Sequence, residues 1–349
     1  MGRILRHLFG AVAACAAVAL AAPAQAQCVG SDPSVAVTVD AKPISGFSVR
    51  APDQRRFGMV EYLGGLELTS SHKDFGGFSA IRVEPDGQHF VSLTDRGWWL
   101  TGRIAYDHGR PTGIADARMA PILGPDGRTL KARGWYDTES LAERDGWFYV
   151  GIERVNRIVR FDFARCGFRA RAAEYAASGR TVYGNLPSNK GFEALTFAPR
   201  DSKLAGTLIA FSERGLDADG NLRAFLIGAA PGDAGIAEFS VKRRDNFDIS
   251  DSATLPSGDV LLLERRFSWW SGLAMRLRRI AISAIAAGAL VDGSDLLSAD
   301  FLGYRIDNME GLSIHTDANG AVVLTLVSDD NFNHFLQRTV LLQFRLVDE

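Results

Sequence analysis

Acidic residues recur along this 349-residue chain in two columns. The first is carried by segments of the form acid–small–apolar. These are Glu139-Ser140-Leu141, Glu193-Ala194-Leu195, Asp251-Ser252-Ala253 and Glu310-Gly311-Leu312, with Ser79-Ala80-Ile81 as a variant lacking the acid. Their first residues stand 60, 54, 58 and 59 positions apart. The second column reads Asp95-Arg96, Glu153-Arg154, Glu213-Arg214, Glu264-Arg265 and finally Asp329-Asp330. Carboxylates converging from separate repeats cannot all stay ionised without a counter-charge, so they share protons, pair with Arg or hold a cation. Oxygen-only ligands without adjacent His or Cys suit a hard ion, and an irregular multi-carboxylate cage favours Ca²⁺ over Mg²⁺. The metal candidates are therefore Glu139, Glu193, Asp251 and Glu310, with Asn189, Asn308 and Asp307 able to add oxygens. In the outer column Arg96, Arg154, Arg214 and Arg265 either stitch blades by ion pairing or neutralise an anionic substrate. His334, just past Asp329-Asp330, is a candidate substrate contact or general base, with His72 of similar standing. A solvated loop His is the competing reading for both.

No nucleophile stands out from these acids. The chain holds no Gly-x-Ser-x-Gly elbow. Asp107-His108-Gly109-Arg110-Pro111 reads as a loop, and Asp217-Ala218-Asp219-Gly220-Asn221 opens like a calcium loop but lacks its closing Glu, so it reads as a β-turn.

Turn signals separate the columns in every repeat: Pro85-Asp86-Gly87, Arg144-Asp145-Gly146, Arg200-Asp201-Ser202, Pro256-Ser257-Gly258 and Ala318-Asn319-Gly320. Asp-Gly and Asn-Gly mark hairpins because the turn needs positive φ. Each repeat of about 58 residues is thus a hairpin followed by one or two strands, the pattern of a β-propeller blade. Five blades are visible, and a sixth built from degenerate N-terminal sequence stays open. Residues 27–349 form one all-β propeller domain in this reading. The orphan strand Met59–Leu68 is expected beside Val340–Leu346, covering an edge that would otherwise be open. Within a hairpin, the start of the first strand and the end of the second share one end. Both acid columns therefore reach one face, and the inner one converges on the axis.

Ahead of the propeller, Arg3 and Arg6 precede an apolar run, Leu8 to Ala22, and the small-residue site Ala24-Gln25-Ala26. This is the pattern of a cleaved export signal, residues 1–26, and it implies a periplasmic or secreted protein. Two cysteines then remain, Cys28 and Cys166, and an oxidising compartment favours a bridge between them. Arg279 to Val291 is too short to span a membrane. Lys and Arg total 39 against 41 Asp and Glu, a net charge of −2, with no basic stretch able to track a phosphate backbone. Nucleic acid is excluded as an expected partner. A monomer acting on a small anionic or ester substrate is expected.

Five motifs carry a family resemblance. They are Gly64-Gly65-Leu66 with Phe75-Gly76-Gly77-Phe78-Ser79-Ala80-Ile81, Asp137-Thr138-Glu139-Ser140-Leu141, Asn189-Lys190-Gly191-Phe192-Glu193-Ala194-Leu195 and Asn308-Met309-Glu310-Gly311-Leu312. Over about residues 45 to 346 the chain resembles the phytase-like domain, the esterase-like activity of phytase family. The resemblance implies a propeller and hydrolysis of phosphate or carboxylate esters. More distantly, the inner column is similar to calcium-dependent six-bladed propeller lactonases and esterases, whose metal is held by Glu, Asn and Asp at the channel mouth. Ser79 departs from an acidic ring. Two function classes follow: an exported metal-dependent ester hydrolase, or a non-catalytic propeller binding a ligand or protein on the same charged face.

Overall fold

The computed structural model describes residues 28, 30–176, 183–187, 190–228, 235–270 and 272–347. The expected export signal and its cleavage site lie outside these residues. Five sheets, antiparallel except for one short parallel edge strand, Leu290–Val291, on the third, are arranged as blades of a propeller. Their innermost strands are Phe78–Val83, Thr138–Arg144, Phe192–Phe197, Asp248–Thr254 and Asn308–Thr316. Each lies beside the next, and the fifth returns to the first. The ring closes at five blades. The expected turns join the first two strands of each blade. Gly87 N donates to Glu84 O at 2.9 Å, and Asp145 and Gly146 take φ of 55° and 77°. In the fifth blade the Asp317 carboxylate accepts the backbone N–H groups of Asn319 and Ala321.

Blade five is completed from both ends of the chain. Its order is Asp40–Ile44, Val60–Thr69, Thr339–Leu346, Val322–Asp329, Asn308–Thr316. Val340 pairs with Glu67 and Leu342 with Gly65, so the N-terminal strand covers the edge left by the last C-terminal one, as the sequence leads one to expect. The seam is locked by Asp330, whose carboxylate accepts from Gly77 N at 2.9 Å and Thr339 Oγ1 at 2.9 Å. Cys28 and Cys166 form a disulfide with Cα atoms 5.2 Å apart, tying the start of the described chain to blade two.

Apolar residues collect between blades, not in one central mass. Five clusters fill the five seams, for example Trp99, Leu141, Val150 and Phe161 between blades one and two, and Leu66, Phe78, Val327 and Leu341 between five and one. An inner strand has a blade on either side, so both its faces are buried. Small residues there let the strands approach. A Cβ on Gly311 would come within 2.6 Å of Val327 and 3.1 Å of Ala80 backbone.

Each inner strand also carries one β-bulge, at the same height in every blade. The ladder skips Ser79, Glu139, Glu193, Ser250 and Glu310. A bulged residue is unpaired and re-aims its side chain. That position, not the acid–small–apolar motif, defines the equivalent residues. In blade four it is Ser250, one residue before Asp251.

Because the closing strand contributes a full edge of hydrogen bonds and buried Leu66 and Leu68, removing residues 28–69 should abolish cooperative unfolding and yield aggregated or molten protein. Circular dichroism melts of the truncated chain check this; a sharp, reversible transition would place the closure elsewhere.

Candidate functional site

Seven carboxylates from bulges and second-strand ends gather at the end of the channel where the inner strands begin, with Asp137 beside them. Three come from bulge positions: Glu139, Glu193 and Glu310, each no more than 9% exposed. Four come from the ends of the second strands: Asp95, Glu153, Glu213 and Asp329. The two sets are neighbours because the strands pair antiparallel. Backbone hydrogen bonds join Asp95 to Gly77, Glu153 to Asp137 and Glu213 to Gly191, the residues two before each bulge. Carboxylate oxygens of Glu153, Glu193 and Glu213 lie within 4.8 Å of one another.

Blade four breaks the pattern at both heights, and this corrects the expected alignment. Its bulge holds Ser250, and the residue paired with Asp248 is Arg265, not Glu264. Arg265 is thus a cation set into an otherwise acidic ring. It donates to Glu213 Oε1 at 3.2 Å and stands 3.3 Å from Glu310 Oε1. Desolvation opposes its charge, but Glu310, Glu193, Glu213 and Asp329 more than reverse this and its pKa is raised. Lys190 pairs with the other Glu213 oxygen. Glu264 points away from the channel, buried between Arg276 at 2.6 Å and Arg278.

Asp251 does not join the cluster. One residue past the bulge, it points along the axis and is gripped by Arg82 of blade one, at 2.9 and 3.1 Å. Arg82 also donates to the carbonyls of Ile81, Leu195, Ser252 and Leu312, so this ion pair plugs the middle of the channel. With both oxygens taken by Arg82, and by the N–H groups of Ser252 and Leu312, Asp251 has no capacity left for a metal. Asn308 does reach the cluster, donating to Glu310 Oε1 at 2.7 Å. Asp307 turns aside to Arg338 N. Asn189 lies outside the described residues.

The outer Arg residues part ways. Arg214 is held by Asp248, while Arg96 lies over the Phe332 ring at 3.2 Å and Arg154 over Tyr136 at 4.4 Å. His334 is exposed at the rim, 3.0 Å from Asp330, and His72 stacks edge-on against Trp98.

Burial and mutual repulsion push the acids up. Desolvation, then Glu310 and Asp95, raises Glu139 well above the usual carboxylate range; desolvation, then Glu139 and Glu213, does the same to Glu193. Asp95 and Glu153 are pushed to about 7, chiefly by desolvation. One buried oxygen of Asp95 has no hydrogen-bond partner. The donor set is all oxygen, supplied by four blades, and under-compensated by Arg265 and Lys190. Such a set fits a hard divalent cation. Sequence reasoning named Glu139, Glu193, Glu310 and Asn308 but set Glu153 and Glu213 apart as an outer column. Antiparallel pairing places both columns on one face in the sequence as well, but the Arg beside each outer acid except the last points to ion pairing or substrate contacts and not to a metal.

Residues 73–332 match the phytase-like family, described as esterase-like activity of phytase, and the chain belongs to that family. No curated protein matches the sequence. Among solved structures, the PQQ-bound aldose sugar dehydrogenase of Streptomyces coelicolor is 14% identical, with a TM-score of 0.42 over 84% of this chain and 99% of that one. A putative glucose dehydrogenase of Thermus thermophilus is also 14% identical, with a TM-score of 0.37 over 88% and 99%. The WD40 repeats of RRP9 are 11% identical, with a TM-score of 0.37 over 84% and 100%.

The raised acids give a signed pH dependence. Between their unfolded values near 4 and folded values near 7, the native state binds more protons, so stability falls as pH rises. In chelator, Tm should therefore drop from pH 5 to pH 8, and Asp95→Asn should raise Tm at pH 8 while changing little at pH 5. Scanning calorimetry across that range reads this out; a Tm that rises with pH would refute the reading of the cluster.

Proposed function

We propose that the protein is an exported, metal-dependent hydrolase of phosphate or carboxylate esters, with a Ca²⁺ ion held at the acidic mouth by Glu139, Glu153, Glu193, Glu213 and Glu310. The observation that carries this reading is the buried carboxylate triad of Glu153, Glu193 and Glu213, in which Glu153 and Glu193 have no ion-pair partner among the described residues and only Glu213 is paired, with Lys190 and Arg265. Family membership supports ester chemistry. A divalent ion there supplies polarisation of a phosphoryl or carbonyl oxygen and a bound water of lowered pKa. Around it the chain's own groups divide the work. Arg265 and Lys190 hold Glu213 in place and reduce the repulsion it meets. Asn308 orients Glu310 by donating to it. Arg96 and Arg154, stacked on rings instead of bound to carboxylates, present cations beside Asp95 and Asp137 to an anionic substrate. Export is supported by the N-terminal leader pattern and by the Cys28–Cys166 disulfide.

Calcium a hundredfold above its Kd should add about 2.7 kcal/mol, which for a chain of this size raises Tm by about 4 °C. Glu193→Gln and Glu139→Gln should reduce that increment and lower activity on a panel of carboxylate and phosphate esters in parallel. Asp251→Asn should lower Tm but leave the calcium increment intact. If chelation alters neither Tm nor activity, the face is that of a non-catalytic binding propeller.

A further inference from the structure

The far end of the channel is a different chamber. Beyond the Arg82–Asp251 plug, the ends of the five inner strands open into a cavity of about 730 Å³, the size that suits a small organic molecule. Its walls are largely apolar, built from Val83, Phe148, Phe163, Leu195 and Phe197, with Phe148 and Phe163 edge-on at 5.2 Å. Neutral polar groups face it sparingly: Thr196 and Thr254 bond each other at 2.9 Å, and Ser313 accepts from Val83 N. His315, also in the wall, is 9% exposed, and its Nδ1 is buried without a hydrogen-bond partner.

The charges select the ligand. Arg82 is the sole Lys or Arg in the lining, and Asp251 already binds it in bidentate fashion. Two further carboxylates, Glu84 and Glu143, stand exposed at the rim, and neither forms an ion pair with Lys or Arg among the described residues. An anion entering the cavity would meet acids, an Arg82 already paired with Asp251, and Arg144 only across the Phe197 ring, 4.9 Å from its centroid and paired with Asp145. A cation would meet two carboxylates at the entrance and ring faces within.

We propose that this second mouth binds a small organic cation with an apolar ring body, at a site separate from the acidic mouth and of opposite preference to the anionic or ester substrate proposed there. The ring fills the space between Phe148, Phe163 and Phe197, and the ammonium group lies toward Glu84 and Glu143.

Isothermal titration of the mature protein in saturating calcium with 2-naphthylmethylammonium, 2-naphthylmethanol and 2-naphthoate tests this. The ammonium should bind saturably at one site, and the naphthoate at least tenfold more weakly. Ala164 is an exposed rim residue, so Ala164→Trp should fold normally and weaken the ammonium at least tenfold by closing the entrance. Glu84→Gln with Glu143→Gln should bring the ammonium and the uncharged alcohol to equal affinity. Glu193→Gln, at the other mouth, should leave the affinity for the ammonium unchanged whatever it does to calcium binding there. The proposal is overturned by no saturable binding, by equal binding of naphthoate, or by binding that survives Ala164→Trp but is lost in Glu193→Gln. That last result would put the cation in the acidic mouth.

Discussion

Like charge confined near a propeller axis is the constraint around which this molecule is built. Seven carboxylates share the channel mouth, and two charges about 4 Å apart repel by about 4 kcal/mol at an effective dielectric of 20. The fold offsets this in a graded way. Arg265 and Lys190 supply partial compensation, Gly191 N donates to Glu153, and protonation of Asp95 and Glu153 below about pH 7 removes further charge. These offsets are incomplete, and that shortfall is what favours the proposed cation at this mouth. A ring of structural ion pairs would have used up the acids, as Glu264 is used up by Arg276 and Arg278.

The bulges convert an ordinary blade edge into this site. Without one, residues 139, 193 and 310 would alternate with their neighbours between the two blade interfaces, and their charges would fall in apolar seams. The skipped residue turns its side chain toward the axis, while the next residue resumes the ladder with a small side chain such as Ala80, Ala194 or Gly311. The acidic mouth and the closure of the ring therefore meet at one level of the strand. Glu310 stands at the mouth, and the Gly311 beside it is what lets blade five approach blade one.

How far the sequence could be read follows from these particulars. The blade period, the turns and the pairing of the orphan strand with Val340–Leu346 were legible because residue types mark them: Asp-Gly at hairpins, alternating apolar residues in strands, an unpaired edge needing cover. The bulge carries no such mark. In blade four the letters Asp251-Ser252-Ala253 imitate the motif of the other blades, while the residue at the equivalent height is Ser250. One slipped residue reverses the side of a strand. Read by its letters alone, Asp251 falls among the acids of the mouth and not in the plug, and Arg265 loses its place in the ring. Hairpin pairing puts both columns on one face, but which acids share a pocket depends on the bulge: Glu153 stands opposite Asp137, and the unpaired Glu139 turns in beside it.

The plug gives Asp251 its own role. Arg82 spends its donors on one carboxylate and four carbonyls from four different inner strands, so it binds the strands together where the channel is narrowest and leaves no unpaired charge there. A channel blocked by a saturated ion pair is not a conduit, and the two mouths are chemically independent. The acidic mouth draws its character from bulged and strand-end acids. The opposite mouth draws its character from strand-end aromatics and hydroxyls. A neutral barrier between them means that a cation bound at one end does not lie in contact with the carboxylates of the other. Each end of the axis can then be changed by substitution without unmaking its counterpart, provided that Arg82 and Asp251 stay.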